Sequence, residues 1–301
     1  MTEQSLLNPR PGRIGFDASS LNILGDDPQR EDVLCALKDR GCSPVLTVPN
    51  LVEILKWPEI EKRDALLELL QRLRRVDDLR LLPFPLEVVE AEVTAWSRRE
   101  PNVTLGSEQS AEDFQALLED GPLRSAEVAR RVSEYADLEQ KQHEARLRTL
   151  RDHLASVQTL AVPSSAKELV EGVLNRGHLV AAVLNACLGK STVGPPVQAD
   201  EAVACARDLP ILRAFLVTVA LAIWHYGVQA FSLRRSKAAG AIDIMQATYL
   251  PLAIALVVDD QRMRDHLRTV VDLAGLSTLV VTYDELRRNL QVGGRTASET
   301  A

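Results

Sequence analysis

The run 252–258 (LAIALVV) carries no polar residue and leads straight into Asp259 and Asp260. An apolar stretch without polar alternation reads as a strand buried on both faces of a parallel sheet. Such a strand constrains the whole chain, because helices must then cover two sheet faces. It also places two carboxylates where open α/β sheets bind their ligands, outside the carboxyl ends of the strands. The simplest use of Asp260 is to cap a helix beginning near Gln261. A second short run, 13–17 (RIGFD), also ends in an acid, Asp17, and continues into Ala18, Ser19, Ser20 and Leu21.

Other segments supply partners for these strands. Residues 44–48 are the next strand candidate and pass through Thr47, Pro49 and Asn50 into LVEIL, so Glu53 falls in the first turns of a helix at the same sheet edge. Asp27 and Pro28 open a helix with Val33, Leu34 and Leu37 as its buried stripe and Gly41 as its stop. A helix over 59–75 turns Leu66, Leu67, Leu69 and Leu70 inward, and 79–82 is a short strand. The helix over 85–99 carries Glu87, Glu90 and Glu92 as supplementary acids, although helix charges usually mark a solvated face.

Just before the apolar run, Ile242, Met245 and Tyr249 recur at helical spacing, with Asp243, Gln246 and Ala247 on a neighbouring face. Pro251 is expected to stop that helix. Beyond Asp260, Met263, Leu267 and Val270 form a helical stripe ended by Gly275, 279–282 is the last strand and 283–290 a closing helix. Five short strands separated by helices predict a three-layer α/β/α sandwich around a five-stranded parallel sheet, with right-handed crossovers and a helical insertion.

Asp17 in DASSL, Glu53 in NLVEIL, Asp243 in AIDIMQA and Asp260 in DDQRM thus arrive from distant parts of the chain at strand ends and helix starts. In their order and settings they resemble the PIN domain, a metal-dependent ribonuclease fold with a small parallel sheet between helices. The resemblance covers 13–99 and 239–290, leaving 100–238 as a helical insertion whose last helix packs into the core, and 1–12 and 291–301 as flexible termini. It implies strand order 3-2-1-4-5 and an Mg²⁺ or Mn²⁺ site. In that site Asp17 is the central ligand, Asp243 and Asp260 complete the set, and Glu53 binds directly or orients a water. Ser19 is an outer donor. The family usually has a hydroxyl residue two positions before its last acid, where Val258 stands here, so the ligand is either Asp260, which occupies the family position, or Asp259. The resemblance extends to toxins of bacterial toxin–antitoxin pairs, which implies an antitoxin-like partner, although those chains are much shorter.

The middle of the chain reads differently. Residues 100–194 are charged and helical, with Leu147, Leu150 and Leu154 forming one apolar edge suited to the core or to a second copy in a homodimer. GKST within 189–196 is a turn and not a phosphate loop, because Leu184 stands where the upstream glycine is needed. The uncharged run 214–233 is long enough to span a bilayer, but His225, Gln229, Gly227 and Ser232 suit a helix buried in protein. Arg234, Arg235 and Lys237 follow it, as charges closing a helix C-terminus and as a candidate phosphate clamp ahead of Asp243.

A formal charge of −7 argues against indiscriminate nucleic-acid binding, so a polyanion would need a local basic patch or metal ions. Carboxylates without His or Cys partners suit Mg²⁺ or Mn²⁺ and not structural zinc. Cys35, Cys42, Cys187 and Cys205 show no metal-type spacing and read as reduced thiols, and MTEQSLLNPRPG lacks a secretory pattern, so a cytoplasmic location is the expectation. Two function classes follow. One is a metal-dependent endoribonuclease, with RNA preferred over DNA by resemblance. The other is a PIN-like binding module with weak or no catalysis, acting through its helical insertion. Retention of all four acids favours the enzyme.

Overall fold

The structure, a computed structural model, describes residues 12–76, 79–100, 164–188, 197–228 and 246–292, with Arg130, Glu134, Asp137, Leu138 and Lys141 between them. Five parallel strands, β1 (Gly12–Phe16), β2 (Cys42–Thr47), β3 (Arg80–Leu82), β4 (Ala255–Val257) and β5 (Leu279–Val281), form one sheet in the order β3-β2-β1-β4-β5. Phe16 is in register with Val257 and Gly15 with Val45, so the ends of the central strands lie side by side. Pro44, inside β2, is tolerated because β3 pairs only with Val45–Thr47, leaving the proline without a ladder partner on that side.

Asp17 caps α1 (Ala18–Asp26), which ends because Asp27 precedes Pro28 and is held extended. The single crossover helix expected after β1 is therefore two, α1 and α2 (Arg30–Asp39), with Asp27 accepting a bond from Gln29 N at 2.8 Å in the turn between them. Gly41, at φ 66°, closes α2 as expected. Then come α3 (Val48–Leu55), α4 (Ile60–Val76) and α5 (Pro85–Ser97). The later helices are α6 (Ala166–Leu174), α7 (Gly177–Leu188), α8 (Ala199–Asp208), α9 (Pro210–Val228), α10 (Gln261–Ala274) and α11 (Tyr283–Leu290).

The strands alternate sharply between two faces. Ile14, Phe16, Leu46, Leu81, Val257 and Val281 pack with α1–α4 and α11. Val45 and Leu82 pack with α5, α7, α8 and α9, while Leu256 and Val280 meet α6, α9 and α10. Gly15 leaves room on this second face for Leu256, whose Cδ2 lies 2.2 Å from where a β-carbon would stand. In α9, Leu212, Leu216, Val217 and Ala220 are fully buried, and each such Leu or Val contributes about 1.5–3 kcal/mol relative to exposure. The stretch 211–222 therefore belongs to the core. Among the described residues no helix is long and apolar enough to cross a membrane.

One local expectation is corrected. Pro251 does not stop a helix before the strand but sits inside a 3₁₀-helix, Gln246–Leu252, and the strand begins only at Ala255. The tighter winding accepts a proline near its end, and Ile254 N reaches across to Arg13 O at 2.9 Å to start the pairing. Most of 101–163, residues 189–196, where a turn is expected, residues 229–245 and the outer termini lie outside the described residues.

Candidate active site

Strand order reverses between β1 and β4, since the chain moves outward through β2 and β3 on one side and through β5 on the other. That is the switch point at which open α/β sheets leave a crevice. Asp17 follows β1 directly and Asp259 lies two residues past β4. The two strand ends are stitched by Asp17 N donating to Val257 O at 3.1 Å and Ser20 Oγ donating to the same oxygen at 2.8 Å.

Each oxygen of the Asp17 carboxylate accepts a local donor and keeps a further acceptor position. Oδ1 accepts from Ser20 N at 2.7 Å and Oδ2 from Ser19 Oγ at 2.8 Å. Burial nonetheless raises its pKa above the ordinary carboxylate value, against the pull of these bonds and of the Asp259 N–H. Asp259 is raised as well, chiefly by burial. The Tyr283 N–H and Arg264 oppose that rise, and the charges of Asp17 and Asp284 add to it. Its Oδ1 accepts from Tyr283 N at 3.4 Å, at the start of α11, while Oδ2 is buried with no hydrogen-bond partner. A buried carboxylate oxygen without a donor, next to a second carboxylate of raised pKa, is a site that a hard cation would relieve.

The other expected acids are placed differently. Asp260 is exposed and caps α10, accepting from Met263 N at 2.7 Å. Glu53 is exposed on α3. Asp243, Arg234, Arg235 and Lys237 lie outside the described residues. Among the described residues no group of three or more His, Cys, Asp or Glu is arranged to hold a metal ion. Of the supplementary acids, Glu87 accepts from Phe84 N at 2.8 Å as a cap of α5, and Glu92 is buried beneath the start of α9. Cys35, Cys42 and Cys205 are free thiols, and burial pushes Cys42 up and Cys205 up to about 11, which suits packing and not nucleophilic attack.

Three polar residues that sequence reasoning did not assign complete the edge. Asn50 Nδ2 donates to Phe16 O at 2.7 Å, Gln246 Nε2 donates to Asn50 Oδ1 at 2.8 Å, and Arg264 Nη1 donates to Val258 O and Asp259 O at 3.1 and 3.3 Å. The signal for Asn50 and Gln246 was present, since each is an amide inside an otherwise apolar helical stretch. The chain matches no protein-family model, no curated protein and no solved structure.

Proposed function

We propose that this chain is a metal-dependent nuclease of PIN type, an endoribonuclease that hydrolyses RNA phosphodiesters with Mg²⁺ or Mn²⁺. The observation that carries the reading is the meeting of Asp17 and Asp259 at the β1/β4 switch point, with one carboxylate oxygen buried and unsatisfied. In this reading Asp17 and Asp259 hold the ion together with Asp243. Asp243 stands three positions before Gln246, a separation that extended chain spans in at most about 11 Å, and Gln246 is tied through Asn50 to the residue preceding Asp17. Asp260 and Glu53, both exposed, act on water or substrate without displacing the inner acids.

A bound divalent ion supplies two effects: it lowers the pKa of a water and stabilises charge on the phosphate oxygens. The chain supplies the rest. Ser19 and Ser20 fix the rotamer of Asp17, and the start of α11 fixes Asp259 through the Tyr283 N–H. The buried amides of Asn50 and Gln246 hold the strand end to the 3₁₀-helix. Hard carboxylate donors favour Mg²⁺ or Mn²⁺ over zinc.

The test is cleavage of a labelled RNA by the purified full chain with Mn²⁺, with EDTA and after Asp17→Asn. Metal-dependent cleavage abolished by the substitution is expected. No hydrolysis of RNA or DNA by the wild type, with equal Mn²⁺ binding by the variant, would replace the nuclease with a binding module.

A further inference from the structure

We propose that Arg264 is the phosphate-contacting residue of this edge, binding the backbone of a nucleic-acid strand beside Asp259; the inference rests on the nuclease reading above. An acidic edge on a chain of net charge −7 holds a polyanion better where a side-chain cation adds to the charge of a bound metal ion. Arg264 lies in the first turns of α10 and is the cation whose charge acts on Asp259.

Its geometry separates it from the neighbouring Arg268 one turn later. Arg268 donates through Nε and Nη2 to Val280 O at 3.0 and 2.8 Å and pairs with Glu285 at 3.6 Å, so its charge is already matched. Arg264 also grips strand-end carbonyls, Val258 O and Asp259 O, but both bonds leave from Nη1. Among the described residues no carboxylate lies within 4.0 Å of its guanidinium, and Nε and Nη2 are not among the buried atoms lacking a partner. One nitrogen therefore anchors the plane while Nε and Nη2 keep access to solvent, which leaves them able to donate to a phosphate in the two-bond manner of arginine.

Position adds a second argument. A cation near the start of a helix faces the positive end of the macrodipole, which is unfavourable by a few tenths of a kcal/mol or more. Tethering two carbonyls does not require a permanent positive charge. An anion arriving at the α10 N-terminus is favoured both by the dipole and by Arg264.

The experiment measures binding of a fluorescent single-stranded RNA to the full chain in an Asp17→Asn background across a NaCl series, with Arg264→Gln and Arg264→Lys. Arg264→Gln should weaken binding and reduce the log–log salt slope by about 0.7, one phosphate contact on a single strand, while Arg264→Lys keeps the slope. A folded Arg264→Gln protein with an unchanged slope overturns the proposal, as does absence of RNA binding at low salt. If Arg264→Gln does not fold, RNA must protect Arg264 of the wild type from phenylglyoxal, read by peptide mass; lack of protection overturns it equally. Cleavage with an unchanged slope would leave the nuclease standing without this contact, and a changed slope without cleavage would do the reverse.

Discussion

Gln246 Nε2 donates to Asn50 Oδ1 at 2.8 Å across 196 positions of sequence, inside a region where both side chains are buried. The bond joins the 3₁₀-helix leading into β4 to the start of α3, and Asn50 passes it on to Phe16 O at the end of β1. Two amides thus satisfy each other and a strand-end carbonyl where water cannot.

Asn50→Leu should therefore destabilise the protein far more than its surface area suggests. It leaves Phe16 O and the Gln246 amide unpaired, at roughly 1–3 kcal/mol for each buried group. A fall of about 2–5 kcal/mol in urea unfolding is expected, with Mn²⁺ affinity falling in the folded fraction. A loss under about 0.5 kcal/mol would mean that the network is replaced by water.

Asp17 and Asp259 both have raised pKa values, and in each case burial is the leading cause. A raised carboxyl holds its proton longer in the folded state than in the unfolded one. The stability it contributes is full below the unfolded value of 3.8 and is lost as pH rises through the folded value. Metal-free protein should accordingly gain in urea midpoint as pH falls from neutral toward the unfolded value of 3.8, and Asp17→Asn should flatten that gain while matching or exceeding wild-type stability at neutral pH. Saturating Mn²⁺ should reverse the order, adding about 2.7 kcal/mol to the wild type at 100 times Kd and less to the variant. A wild type equally stable with and without Mn²⁺ would remove the ion from the site.

The two neighbours at the end of β4 make a sharper comparison. Asp259 feels the charge of Asp17 and has a buried, unpartnered oxygen, whereas Asp260 spends Oδ1 on the Met263 N–H. Asp259→Asn should abolish Mn²⁺ binding and cleavage. Asp260→Asn, an equally good cap, should change stability by only a few tenths of a kcal/mol, and Asp260→Ala should cost about 1. Calorimetric Mn²⁺ titration of the three variants decides it; full binding by Asp259→Asn assigns the ligand to Asp260.

The choice between these neighbours shows where sequence reasoning stops. The strand ending in two acids was legible from the unbroken apolar run, and the parallel sheet followed from five such runs separated by helical stripes. Which acid turns inward depends on how the chain leaves the pleat after Val257, and one residue of offset exchanges buried for exposed. The split of α1 from α2 was readable in principle, because Asp27 precedes Pro28, but the serines after Asp17 masked a helix start. The Asn50–Gln246 bond and the covering of the second sheet face by α9 rest on contacts far apart in sequence, which local periodicity cannot convey. Asp243, a ligand by the family resemblance, lies outside the described residues.

Glu92 carries the last prediction, because it was a supplementary acid by sequence and is a cap by structure. Its Oε1 and Oε2 accept from Ile211 N and Leu212 N at 3.0 and 2.7 Å, satisfying buried first-turn donors of α9 from a helix 119 positions earlier. Burial raises its pKa although both N–H groups and Arg213 favour the charged form. The arrangement matches a carboxylate to the positive end of a buried helix. Glu92→Ala leaves two buried N–H groups unpaired and should cost roughly 2–5 kcal/mol, while Glu92→Gln keeps one acceptor and should cost less. Neither should alter the Mn²⁺ affinity of the folded protein, since the side chain is spent on α9. Urea unfolding beside Mn²⁺ titration reads both effects, and a Glu92→Gln protein of near-normal stability that had lost Mn²⁺ binding would return this acid to the site.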